Sequence, residues 1–185
     1  MTLFEIVFLL ITLAWFFEFL LFRNRGETHE NKVERFSYRI ILSAILLTVL
    51  STLLLREFSI IVVSSPIIVV IGLVFYGTGV FLRYWGILYL KEQFSRDVSV
   101  KQGDTLVSDG PYKRLRHPLY TGLVFIIIGI PFGLEVPWMA VPGGMLVIWA
   151  LIFRINVEER MLTDIHGEVY RNWCAKRYRL IPFIY

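Results

Sequence analysis

The chain has 185 residues, about one domain by length, and 56% of them are hydrophobic while 18% are charged. Soluble domains carry about 25% charged residues, so the composition excludes an ordinary soluble fold, and the net charge of +4 suggests nucleic acid only until the basic residues are placed. A single cysteine, Cys174, excludes an internal disulfide framework, and His29, His117 and His166 lack metal-ligand spacing.

In chain order, five apolar runs stand out: Leu3–Phe22, Ile40–Leu55, Ile60–Leu82, Leu119–Leu134 and Val136–Phe153. At about 1.5 Å per residue each is long enough, or nearly so, to cross a hydrocarbon core of about 30 Å. The second and fourth, 16 residues each, need flanking residues or local bilayer thinning. No basic segment precedes the first run and no small-residue cleavage site follows it, so it reads as a span and not as a cleaved signal. The expected fold is an all-α integral membrane protein with five transmembrane helices.

The basic residues give the orientation. Arg23–Ser37 carries four Lys or Arg, Lys91–His117 six and Arg154–Tyr185 six, while the opposite face carries only Arg56, with Arg39 and Arg83 at span edges. This 16-to-1 bias predicts an N-terminus outside, and two basic loops and the C-terminus in the cytoplasm. The outer connections, Arg56–Ser59 and Glu135–Pro137, are short, and the second makes spans four and five a tight hairpin. The 27-residue inner loop and 32-residue tail are each below the size, about 40 residues, at which a segment folds alone. They are expected to fold against each other and the membrane surface. Residues 1–90 thus form an N-terminal three-span region, and 91–185 a region housing any chemistry.

Inside the spans, most residues read as packing. Gly72, Gly79 and Gly86 fall seven apart and leave one helix face small enough for another helix to approach closely. Arg83, Tyr84 and Trp85 are expected at the inner interface of a helix running on to Leu90. Glu18, about one turn from the inner end of span one, is an intramembrane acid and so a functional candidate. The plainer expectation is a carboxylate that snorkels to the interface.

No phosphate loop, no GxGxxG opening a helix, no HExxH, no CxxC and no GxSxG occurs. A soluble-type nucleotide fold, a metallohydrolase and a serine hydrolase therefore lack support. Two stretches remain. The first runs from Thr105 to Gly122 straight into span four: Gly110-Pro111 marks a turn, and Pro118 suits the first turn of the next helix. Arg116 and His117 then stand where free backbone N–H groups attract an anion. Tyr112 and Tyr120 offer aromatic faces to a flat ring. A basic interfacial anchor with belt tyrosines would look alike.

The second stretch is Arg154-Ile-Asn-Val-Glu158-Glu159-Arg160, where span five leaves the membrane. Arg154 and Glu158 share one helix face, and Asn156 with Glu159 line the neighbouring one. A solvated helix end is the alternative. The hairpin brings His117 and Glu158 to one depth. Further on, a helix over Thr163–Lys176 with Ile165, Val169 and Trp173 four apart is expected to lie on the membrane or cover a pocket. The segment Ile181–Tyr185 is expected to dock, and Cys174 to be inert.

With these residues in view, the chain resembles the isoprenylcysteine carboxyl methyltransferase family of integral membrane methyltransferases. The matching part, Asp104 to Phe183, comprises Leu106-Val107-x-x-Gly110-x-Tyr112, Arg116-His-Pro-x-Tyr120-x-Gly122, the hairpin, Arg154-x3-Glu158-Glu159, and Gly167-x2-Tyr170 ending at Pro182-Phe183. Four motifs in order over about 80 residues make the resemblance fairly specific, whereas the N-terminal spans match only in being apolar. It implies S-adenosylmethionine bound without a Rossmann domain, in a cytoplasmic-face pocket between the loop before span four and the tail. By position the cofactor site would use Asp104, Thr105, Leu106, Val107, Tyr112, His117, Pro118, Leu119, Tyr120 and Glu158, with Arg154 meeting the substrate. One departure is Asp104, where eukaryotic members carry a histidine.

The implied reaction suits these residues. An acceptor carboxyl of pKa about 3.3–3.7 is already ionised at neutral pH, so no general base is needed. Alignment and exclusion of water remain for the protein to supply. The implied Arg154 fork would hold the acceptor carboxylate. Glu158 would bind ribose hydroxyls or the methionine amino group, and His117 would face the methionine carboxylate. The implied partners are a lipid-linked small substrate and membrane lipids, with no metal and no nucleic acid. Competing readings are methylation of a phospholipid amine with Glu159 as base, an NADPH-dependent sterol reductase, whose additional spans this chain lacks, and a non-enzymatic membrane scaffold.

Overall fold

In the computed structural model, residues 2–22, 32–91, 94 and 105–181 are described, with the backbone alone for 32–35. Among the described residues there are six α-helices: α1 (Leu3–Leu21), α2 (Lys32–Glu57), α3 (Pro66–Leu90), α4 (Pro118–Gly133), α5 (Ala140–His166) and α6 (Glu168–Cys174). Helices α1, α2, α3 and α5 are long and apolar enough to cross a membrane, and α4 is a shorter apolar helix of 16 residues. Among the described residues there is no strand, only one isolated bridge between Leu115 and Tyr178.

The helix starts follow local chemistry. Thr2 and Glu5 close a capping box on α1, each side chain accepting from the other's backbone N–H, at 3.3 and 2.9 Å. Helices α3 and α4 open on Pro66 and Pro118, where a missing N–H costs nothing.

Several boundaries differ from the apolar runs. Helix α2 is 26 residues long, not 16, because Lys32 and Arg39 interrupt an apolar run but not a helix. The third helix begins at Pro66; residues 62–65 have no regular structure, so the connection after α2 is the eight residues 58–65 and not Arg56–Ser59. Span five starts with a 3-10 turn, Pro137–Met139, and its helix runs on to His166. The surface helix expected over Thr163–Lys176 is divided. Gly167, at φ +55°, ends α5 and starts α6, and Val169 is left 67% exposed.

The tightest packing joins α3 to α4. The expected glycine stripe meets a second one: a Cβ on Gly79 would lie 2.5 Å from the Gly122 carbonyl, and one on Gly129 2.5 Å from the Tyr76 nitrogen. Gly72 likewise abuts the Gly133 backbone. The hairpin partner α5 packs on α2 and α4, burying Ile127, Val147, Leu151 and Ile155. Helix α1 lies against α3 and is held by polar contacts: Tyr76 donates to Thr12 Oγ1 at 3.2 Å and Tyr84 to the Ala14 carbonyl at 2.7 Å.

Glu18 does not snorkel. It is fully buried and paired with Arg83, which turns inward from the interface expected for it. At one end of the bundle, Arg56 lies 3.9 Å from Glu5 and the Val63 N–H donates to the Glu135 carbonyl at 2.8 Å, so the short connections share a face. At the other end, the segment before α4 pairs with the tail through Arg116 N–H to the Tyr178 carbonyl (2.8 Å) and Tyr178 N–H to the Arg114 carbonyl (2.9 Å). Leu180 is buried and Ile181 packs on the core, as docking of the tail requires; Pro182 to Tyr185 lie outside the described residues.

Candidate active site

The site is assembled where α4 begins and α5 leaves the core. Gly110, at φ +57°, opens a 3-10 turn over Gly110–Lys113; a Cβ there would lie 2.7 Å from the Tyr89 ring. That turn buries Tyr112, and burial first, with Glu158 and Tyr120 nearby, pushes its phenol well above the usual range.

Arg116 is tied to the tail and to the Glu159 carboxylate. Its guanidinium donates to the carbonyls of Arg177 and Cys174, both at 3.1 Å, and pairs with Glu159 at 3.3 Å. Arg177 in turn donates to the Tyr112 carbonyl at 2.6 Å and sits 4.3 Å over the Trp173 ring. Burial raises the Cys174 thiol above its ordinary pKa.

A cavity of about 290 Å³ opens among these elements. Thr105, Leu106, Val107, Tyr112, His117, Pro118, Leu119, Tyr120, Arg154 and Glu158 all line it. Asp104 lies outside the described residues. Residues singled out across about 50 positions of sequence therefore meet around one space. Sequence reasoning gave no site role to further lining residues: Trp15 and Phe19 of α1, Tyr38, Ile41, Leu42 and Ile45 of α2, Arg83 of α3 and His166 at the end of α5. No sequence signal marks the α2 stripe, because most of its neighbours along the helix are equally apolar.

The polar side of the cavity is a connected network. Tyr120 donates to Glu158 Oε2 at 2.9 Å, and Arg154 Nε donates to the Tyr120 hydroxyl at 3.4 Å. Arg154 is 2% exposed and also donates to Ser37 Oγ at 3.0 Å. The His117 ring stacks on Tyr120, with Nε2 3.2 Å from Glu159 and Nδ1 3.8 Å from Glu158. His117 and Glu158 do lie at one depth. Two carboxylates thus flank the ring nitrogens of His117.

Glu159 faces away from the cavity into a polar notch, bound by Arg116, His117 and Arg179. It is badly placed to act as base for an amine acceptor. No group of three or more His, Cys, Asp or Glu arranged to hold a metal occurs among the described residues.

An all-helical integral membrane protein with a cavity at the head of a two-helix hairpin is the class these features define. Residues 69–164 match the isoprenylcysteine carboxyl methyltransferase (ICMT) family, and the chain belongs to it. It is 28% identical over 117 residues to a probable protein-S-isoprenylcysteine O-methyltransferase of Oryza sativa subsp. indica, covering 62% of this chain and 61% of the rice protein. It is 34% identical over 118 residues to the protein-S-isoprenylcysteine O-methyltransferase of Xenopus laevis, covering 62% of this chain and 41% of the frog protein. It is also 29% identical over 106 residues to the cobalt-zinc-cadmium resistance protein CzcN of Cupriavidus metallidurans, covering 56% of this chain and 44% of CzcN. The matched stretch thus spans less than two thirds of each relative.

Proposed function

We propose that the protein is a membrane-embedded S-adenosylmethionine-dependent methyltransferase that acts on the carboxylate of a lipidated, isoprenylcysteine-like substrate. The observation that carries this reading is one cavity joining the Arg154–Tyr120–Glu158 network to an apolar wall from α1 and α2. A cofactor with a charged amino-acid end and a flat base needs a carboxylate, hydrogen-bonding groups and aromatic faces. The lining offers these in Glu158, Tyr112, Tyr120 and Trp173. The residues fit the group.

When bound, S-adenosylmethionine supplies a methyl group on a sulfonium. Glu158 with Thr105 to Val107, Tyr112 and the His117–Tyr120 turn would hold it, and Asp104 belongs to the same set by family position. Arg154 orients the acceptor carboxylate through its planar fork. Apolar side chains on α1 and α2 exclude water and receive the lipid tail. Proximity and desolvation supply the catalysis, with no proton to be taken from the acceptor.

In the same reading the chain crosses the membrane five times, α4 being the short span, with residues 1–90 as a supporting region and 91–185 as the catalytic region. The distribution of basic residues supports an N-terminus outside and a cavity at the cytoplasmic face in this reading. Calorimetry on the detergent-purified protein tests the reading together with transfer of a labelled methyl group. S-adenosylmethionine should bind, and a prenylated thioether acid should be methylated in preference to a phospholipid amine. A protein that binds no S-adenosylmethionine, or that methylates only the amine, refutes it.

A further inference from the structure

Arg83 ties three helices together on the cavity wall. Its Nε donates to Glu18 Oε2 of α1 at 2.7 Å and its Nη2 to the other carboxylate oxygen, while Nη1 donates to the Leu119 carbonyl of α4 at 3.3 Å. Glu18 is fully buried, and the Arg83 side chain is 13% exposed. Gly122 gives the guanidinium stem its path, since a Cβ there would lie 2.8 Å from Arg83 Cγ.

A cation beside the first turn of a helix opposes the helix dipole, and a lone charge among apolar helices is costly. Glu18 offsets both. The planar fork lets two nitrogens grip the carboxylate while the third reaches the carbonyl, which an ammonium cannot reproduce. An ion pair needed for stability alone could be replaced by two apolar side chains; one that also aims a donor at Leu119 could not.

We propose that Glu18, acting through Arg83, is a positioning residue that fixes the first turn of α4 for cofactor binding. The proposal rests on the methyl-donor reading of the cavity. Glu18 lies well before residues 69–164, the part of the chain that matches the family, so the first helix becomes part of the apparatus of the site.

The test is the double variant Glu18→Leu/Arg83→Leu in the whole 185-residue chain, read by thermal unfolding, by amide exchange of residues 117–123 and by S-adenosylmethionine affinity. Unfolding temperature should stay near that of the parent. Exchange in 117–123 should nevertheless rise and affinity should fall, each by about tenfold or more. A double variant with parental exchange and affinity overturns the proposal and leaves a purely structural pair. If the double variant does not fold, Glu18→Gln, which keeps an acceptor oxygen but loses the charge, is read in the same two ways. Should the parent protein itself bind no S-adenosylmethionine, the methyl-donor reading falls, and exchange in 117–123 alone decides whether Glu18 orders that turn.

Discussion

The Tyr120 hydroxyl donates to Glu158 Oε2 at 2.9 Å across the α4–α5 hairpin, and its own oxygen accepts from Arg154 Nε at 3.4 Å. Tyr120 thus stands between an arginine and a carboxylate that share one face of α5. Without the hydroxyl, those two charges are one turn apart and free to close on each other.

Tyr120→Phe should therefore weaken S-adenosylmethionine binding, although phenylalanine keeps the ring stacked on His117. A hydrogen bond to a charged group is worth about 1.5–3 kcal/mol, so a loss of about tenfold or more in affinity is expected. Calorimetry on the purified variant checks it. Unchanged affinity in a folded variant would leave the hydroxyl a bystander.

Parts of this architecture were legible in the sequence for local reasons. The spacing of Gly72, Gly79 and Gly86 needs no partner to be read, and the partner stripe on α4 answers it. Pro118 after His117 marks a helix start by backbone chemistry alone. The Glu18–Arg83 pair was not legible, because it joins positions 65 residues apart and a charge near a span end looks like an anchor in one dimension. The break at Gly167 was outvoted by the period of Ile165, Val169 and Trp173, although its left-handed φ decides the matter and leaves Val169 exposed. The apolar wall from α1 and α2 was hidden because lipid-facing and cavity-facing side chains have the same composition in a membrane helix.

The glycine interface gives a stability prediction. A Cβ on Gly129 would lie 2.5 Å from the Tyr76 backbone nitrogen, whereas one on Gly77 would meet only Ile11 Cδ1 at 3.7 Å. Gly129→Ala should destabilise the protein by about 1–3 kcal/mol through overpacking. At roughly 2–4 °C per kcal/mol for a chain of this size, that lowers the unfolding temperature in detergent by several degrees. Gly77→Ala should have little effect or stabilise slightly. Equal behaviour of the two variants would mean that α3 and α4 do not approach this closely.

Orientation is tested with thiol probes. In a Cys174→Ser background, cysteines replacing Thr2 and Arg171, both exposed, should be labelled from opposite sides of sealed vesicles. From the 16-to-1 distribution of Lys and Arg, the expected outcome is Thr2 labelled from outside and Arg171 from inside. Labelling of both from the same side would mean an even number of spans and would remove the cavity from the cytoplasmic face.

The last prediction separates cofactor from acceptor at Arg154. This arginine lies one helical turn before Glu158, nearer the bundle core, with Nη1 on Ser37 and Nε on Tyr120. Arg154→Lys keeps the positive charge but loses the planar fork, so an acceptor carboxylate would still be attracted but no longer held in line for attack. Cofactor affinity should be nearly unchanged, while single-turnover transfer to a lipidated thioether acid should slow by about tenfold or more, which corresponds to about 1.4 kcal/mol or more of lost transition-state stabilisation. Both measurements are made on one purified preparation. Parallel loss of cofactor affinity would assign Arg154 to the cofactor's half of the cavity. If neither quantity changes, Arg154 serves only to fasten α5 to α2 through Ser37, and the acceptor carboxylate must be held elsewhere on the lining.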